Sequence, residues 1–168
     1  ALKAVKLPTK DDYKKTWKTI LRSSGIGSFI GVLPAEGGTV ASLIGYSEAK
    51  RWSKKPEDFG KGSIEGIAGA EAANNAATGG AMVPTLALGI PGSATTAVIL
   101  TGLIIHGVRP GPDLFREQPE FLYGIFGSML IANILFFILG FFGAKLFARI
   151  TLVPNKLLWP MIFAISVC

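Results

Sequence analysis

Apolar and charged positions do not alternate along this chain. The apolar residues gather into runs at 25–46, 63–108, 121–144 and 157–168, and the charges collect in blocks between them. Residues 1–24 hold seven Lys or Arg against two Asp, and residues 47–62 hold five against three acids. Residues 109–120 hold two against three, and 145–156 hold Lys145, Arg149 and Lys156 with no acid. Runs of this length that carry few charges predict membrane helices, each needing about 20 residues to cross. The positive-inside rule then places the first, second and fourth blocks in the cytoplasm and the third outside.

This charge map makes a demand on 25–46, "GIGSFIGVLPAEGGTVASLIGY". It is long enough to cross, yet both flanks are basic and its middle, "LPAEGG", breaks a helix. Two half-length helices entering and leaving on one side fit both facts, with a kinked simple span as the rival. Residues 63–108 then cross outward. Their first part is rich in small residues, with Gly62, Gly66 and Ala70 in one four-residue register and Gly69, Ala73 and Ala77 in another, a pattern that lets backbones approach closely. Pro84 and "LGIPGS" are expected to interrupt this stretch before a short helix over "SATTAVILTGLIIHGV". Residues 121–144 read as the clearest span, and 157–168 as the start of another. The predicted fold is an all-α integral membrane protein with broken or re-entrant helical hairpins, organised as a cytoplasmic basic segment (1–24) and a membrane region (25–168).

Composition supports this reading. Hydrophobic residues make up 49% and charged residues 17% of 168 residues, with mean hydropathy +0.46, whereas soluble domains carry about 25% charged residues. The net charge of +6 suggests nucleic acid, but long uncharged runs separate the basic blocks, so no nucleic-acid partner is expected. The single Cys168 excludes a disulfide framework within the chain. A start without Met and an end inside an apolar run read as a piece of a larger membrane protein.

Eight of the eleven acids lie in the charge blocks; Glu36, Glu65 and Glu71 do not. A carboxylate within a membrane is costly unless paired, hydrated or protonated. On a helix, Glu71, Asn74, Asn75 and Thr78 share one face. That face offers hard oxygen ligands for Na⁺ or a carboxyl that carries a proton; a helix-packing network is the plainer alternative. Glu65, close to a basic block, reads as reaching the aqueous interface. The run Gly89-Ile90-Pro91-Gly92-Ser93-Ala94-Thr95-Thr96 is the second polar element. Ser93 suits an N-cap, and a helix starting here presents N–H groups to an anion. Broken helices mark substrate sites in secondary transporters, and an ordinary proline kink is the alternative. With no Lys or Arg inside the apolar runs, an anionic substrate would rely on these donors. His106 is a candidate proton group of low weight, and Phe121, Tyr123, Phe126 and Trp159 read as interface anchors.

The series from "GVLPAEGG" through "FGKGSIEG", "EAANNA" and "LGIPGS" to "HGVRPGPDLF" resembles the large membrane subunit of the tripartite tricarboxylate transporters, from about Arg22 to the end. It is similar to the second half of that subunit. Where the family reads Pro-Gly-x-Gly, this chain has Pro34-Ala35-Glu36-Gly37. The resemblance implies a multi-pass secondary transporter of the bacterial inner membrane, not an enzyme. Its expected partners are a small membrane subunit and a periplasmic solute-binding protein that delivers a citrate-like carboxylate. It would use Na⁺ or H⁺ as coupling ion and no other cofactor. The implied substrate-binding residues are Pro34, Gly37, Gly38, Asn74, Asn75, Gly89, Pro91, Gly92, Ser93, Thr95 and Thr96, and the ion-coupling residues Glu36, Glu71, Asn75 and Thr78. A structural or channel-forming subunit is the rival class. An intramembrane enzyme using Glu71 lacks a paired nucleophile or a His cluster.

Overall fold

The computed structural model describes residues 8–34, 37–150 and 155–167, and these contain helices and no strand. Seven α-helices follow in order: α1 (Lys10–Val32), α2 (Gly37–Trp52), α3 (Ile64–Leu88), α4 (Ala94–Ile105), α5 (Leu114–Glu117), α6 (Pro119–Ile150) and α7 (Asn155–Val167). A single 3₁₀ turn, Pro56–Asp58, lies between α2 and α3. The chain divides into two compact units, Pro8–Leu122 and a second containing Tyr123–Cys168.

In the first unit α1, α2 and α3 pack as a bundle held by small residues. Helix α1 starts at a capping box: Thr9 Oγ1 accepts from the Asp12 N–H at 3.3 Å and the Thr9 N–H donates to the Asp12 carboxylate at 2.8 Å. Hydrogen bonds from the Thr9 hydroxyl and N–H hold the Asp12 carboxyl below its ordinary value. The helix then runs through residues 24 and 25 without a break, so the basic segment and the first apolar stretch share one helix. Its buried face is Thr16, Thr19, Ser23, Gly27, Ile30 and Gly31. Helix α2 buries Ala41, Gly45 and Ala49.

These faces meet α3 at backbone distance. A Cβ on Gly27 would fall on the carbonyl of Ala73, one on Gly31 on that of Ala77, and one on Gly80 on that of Ser28. Rising numbers on α1 therefore meet rising numbers on α3, and the two run parallel. Gly45 meets Gly69 and Ala73 while Ala49 meets Gly69 and Gly38 meets Asn74, so α2 runs antiparallel to α3. Ile30, Ala41, Ala73 and Ala77 form the buried centre, with Ile26 and Val40 against it. Such close approach without large side chains is how helices associate in lipid, where packing substitutes for the hydrophobic effect.

The Gly69–Ala73–Ala77 register is thus the packing register. The Gly62–Gly66–Ala70 register is not: Gly62 sits in a turn at φ +95°, ahead of the helix, and only Gly66 of the three is buried, against Tyr46 and Phe59. Pro84 likewise does not end α3. It is buried inside the helix, which continues to Leu88 and stops where Gly89 takes a left-handed conformation, φ +67°. Proline removes one N–H donor, and membrane helices tolerate this where neighbouring structure compensates. At the helix end the Pro84 carbonyl accepts from both the Gly89 and Ile90 N–H groups, which closes α3.

Helix α6, most of which lies in the second unit, carries the expected span. Pro119–Gly143 has mean hydropathy 2.3 and is the one stretch among the described residues long and apolar enough to cross a membrane. The helix itself continues past Lys145 to Ile150, beyond the sequence-predicted end at 144. Tyr123, Phe126 and Trp159, expected as interface anchors, are exposed, and Phe121 is at the edge of exposure.

Candidate functional site

Helix α3 organises the candidate residues. Glu71, Asn74, Asn75 and Thr78 are exposed, on the side of α3 turned away from the buried Gly69–Ala73–Ala77 stripe. The Asn75 amide donates to the Glu71 carbonyl at 2.9 Å, and the Thr78 hydroxyl makes a long contact of 3.5 Å to the Asn74 carbonyl. These bonds stay within the helix, so the Glu71 carboxylate and the Asn75 amide oxygen keep acceptor capacity in hand.

The face continues further than the sequence reading took it. Thr85 lies seven residues beyond Thr78 and fourteen beyond Glu71, and a seven-residue step returns to nearly the same side of a helix. Its side chain is fully buried; the hydroxyl donates to the Ala81 carbonyl at 2.7 Å and accepts from the Gly92 N–H at 3.3 Å. The heptad Glu71–Thr78–Thr85 was the signal available in the sequence, hidden because Pro84 reads as a helix end.

Each chain break touches this face. The first lies between α1 and α2. Pro34 is exposed and Gly37 has φ +60°; Ala35 and Glu36 lie outside the described residues. Gly38 is covered by Asn74, whose Oδ1 occupies the space a Cβ on Gly38 would take. The second break, 89–93, is held by hydrogen bonds. Gly92 is buried against Ala81, so near that a Cβ on it would stand 2.8 Å from the Ala81 Cβ and 2.9 Å from its Cα. The Gly111 N–H donates to the Leu86 carbonyl at 2.9 Å and ties the following loop to α3.

Helix α4 begins with a capping box. Ser93 Oγ accepts from the Thr96 N–H at 3.2 Å, and the Ser93 N–H donates to Thr96 Oγ1 at 2.8 Å. Thr96 is buried and its hydroxyl serves this cap, while Thr95 is exposed and Ser93 and Pro91 are half-buried. The N–H groups of Ala94 and Thr95 are those of the first turn that this cap leaves over. His106, at the far end of α4, places Nδ1 2.8 Å from the Gly102 carbonyl and is exposed.

The structure therefore brings Gly38, Asn74, Asn75, Thr78, Thr85 and Gly92 to one side of α3. From Asn74 to Thr85 is eleven residues, about 16 Å along the axis. Between the two breaks the face is open.

A helical bundle built on glycine and alanine contacts, beside one long apolar helix, fits a membrane protein. The chain belongs to the Tripartite tricarboxylate transporter TctA family, whose model matches residues 1–168. It is 41% identical over 154 residues to an uncharacterized 52.8 kDa protein in the TAR-I ttuC' 3' region of Agrobacterium vitis, covering 92% of this chain and 31% of that protein. It is 43% identical over 136 residues to an uncharacterized protein in the TAR-II ttuC' 3' region of the same organism, covering 81% of this chain and 56% of that one. The chain thus spans about a third to a half of the length of these curated relatives. No solved structure matches it.

Proposed function

We propose that this chain forms part of the permease of a cation-coupled uptake system for citrate-like carboxylates in the bacterial inner membrane. A small membrane subunit and a periplasmic solute-binding protein would complete that system. The observation that carries the reading is the meeting of both chain breaks with one polar face of α3: Asn74 over Gly38, and Thr85 on the Gly92 N–H. In this reading Glu71, Asn74, Asn75 and Thr78 hold the coupling cation, with Na⁺ or a proton as the candidates. The α4 N-terminus, with Ser93, Thr95 and the left-over first-turn N–H groups, receives the carboxylate. Glu36 and Pro34 belong to the same proposal through the first break. The open side of the face would be closed by other parts of the full-length protein. Family membership favours transport over intramembrane catalysis or a purely structural role.

The lengths support a re-entrant hairpin. Helix α3 has 25 residues, about 37 Å, longer than a hydrocarbon core of about 30 Å although less apolar than α6. Gly31 meets Ala77 and Ser28 meets Gly80, sixteen residues from the start of α3, so the α1–α2 hairpin reaches about 24 Å along it. A hairpin that stops short of the far end of α3, with basic residues at both of its own ends, enters and leaves on one side.

The test is counterflow of labelled citrate in proteoliposomes containing the full-length protein and its partners. Asn75→Ala weakens the dependence on the coupling cation, by roughly tenfold in half-saturating concentration for loss of one charge-assisted contact. Ser128→Ala, whose hydroxyl bonds only to the Ile125 carbonyl in α6, transports like the wild type. Equal cation dependence in both variants contradicts the assignment.

A further inference from the structure

The other end of the bundle carries a feature that the transport site does not use. The start of α1, the end of α2 and the connection into α3 enclose an open cavity of about 1060 Å³. Helix α1 contributes Lys14, Lys15, Lys18 and Arg22 to its lining, and the connection contributes Lys54, Lys55 and Lys61. Against these stand two carboxylates, Asp58 and Glu65, and Glu65 already accepts a hydrogen bond from the Ser53 hydroxyl. Among the described residues none of the seven cations forms an ion pair; the ion pair present is Arg51–Glu48, outside the cavity. Arg22 adds a second, independent observation: its Nε is buried and has no hydrogen-bond partner. A buried guanidinium N–H without an acceptor is costly, and this one belongs to a side chain lining a cavity of uncompensated positive charge.

The rim separates a lipid from a soluble anion. Trp17 and Trp52 line the cavity and are 50% and 64% exposed, with Lys18 and Arg22 stacked over their rings at 5.5 and 5.3 Å. Ile64, also lining it, is 54% exposed. Amphipathic rings beside cations and open apolar surface are the furniture of the headgroup layer. Basic pockets between helices on the cytoplasmic side hold lipids with several charges. The volume is at the upper end of small-ligand sites, more than one simple phosphate needs, and a surplus of positive charge suits two phosphates.

We propose that this cavity binds the headgroup of an anionic phospholipid carrying two phosphates, with Arg22 and the connection lysines on the phosphates and Trp17, Trp52 and Ile64 against the glycerol and acyl region. The proposal rests on the membrane placement of the previous section and not on its substrate.

Native mass spectrometry of the full-length protein in neutral detergent, titrated with diphosphatidylglycerol and with phosphatidylcholine, tests it. Diphosphatidylglycerol is retained and phosphatidylcholine is not. The variant Lys54→Gln/Lys55→Gln/Lys61→Gln, which leaves the helices intact, weakens retention roughly tenfold or more, and Arg22→Lys weakens it while keeping the charge. The charge-matched control Lys10→Gln/Lys50→Gln/Lys156→Gln, outside the cavity, retains the lipid as the wild type does. Equal retention by the connection variant and the wild type overturns the proposal, and so does displacement of the lipid by millimolar pyrophosphate or citrate, which would make this a site for soluble anions. The transport reading fails by a different readout, absent counterflow by the wild type, through which the lipid comparison does not pass.

Discussion

The two chain breaks solve the same problem by different means. At 89–93 the backbone is tied down by hydrogen bonds: Thr85 accepts from Gly92, the Pro84 carbonyl takes two N–H groups, and Ser93 and Thr96 cap α4 reciprocally. At the first break the described contact with α3 is packing, the Asn74 carboxamide laid over Gly38. A Cβ on Gly92 would meet backbone and Cβ atoms of Ala81, which cannot move without the helix; a Cβ on Gly38 would meet the end of the Asn74 side chain, which can rotate away. The lesson is that similar Pro-Gly signatures mark one rigid corner and one contact adjustable at the level of a side chain.

The largest effect is all-or-none and concerns the hairpin of the first break. Single cysteines replacing Lys10 and Lys54 are both labelled by an impermeant reagent from the cytoplasm and neither from outside. Labelling of one from outside breaks the comparison, because residues 25–46 would then span. Next comes the rigid corner. Gly92→Ala overpacks α3 at Ala81 and costs about 1–3 kcal/mol, read as a lower midpoint of thermal unfolding of the full-length protein. Thr85→Val leaves the buried Gly92 N–H without its acceptor, at a similar cost of about 1–3 kcal/mol, whereas Thr85→Ser keeps the hydroxyl and most of the stability. Ser93→Ala removes one cap and costs about 1 kcal/mol. A thermal midpoint unchanged in all three would mean that 89–93 is not the rigid member of the pair.

Much of this was legible in the chain. The helical class, the break at "LPAEGG" and the shared face of Glu71, Asn74, Asn75 and Thr78 follow from periodicity, helix-breaking residues and charge placement. The packing register was legible only in part, because Gly62–Gly66–Ala70 and Gly69–Ala73–Ala77 have the same spacing. What separates them is that Gly62 lies before the Ser63 cap, a boundary that spacing does not reveal. Thr85 is hard to read from the chain because proline normally ends a helix, whereas α3 runs through Pro84 to Leu88 and completes the heptad. Ser93 as the N-cap was legible, but the return bond from the Ser93 N–H to Thr96 Oγ1 was not, since a hydroxyl at a helix start reads equally as a cap and as a ligand donor. The basic cavity was present in the sequence as two separate blocks, and only the antiparallel return of α2 brings Lys14–Arg22 beside Lys54–Lys61.

The central claim is that the polar face of α3 between the breaks is the transport site, and Gly38→Ala tests it most directly. The new methyl group displaces the Asn74 carboxamide and leaves the nearest backbone atom, the Asn74 carbonyl oxygen, at an ordinary contact distance of 3.5 Å, so abundance and thermal midpoint stay at wild-type values. Counterflow kinetics of the full-length protein with its partners should then show a half-saturating concentration, for carboxylate or coupling cation, raised roughly tenfold. Wild-type kinetics in a stable Gly38→Ala protein would contradict the account.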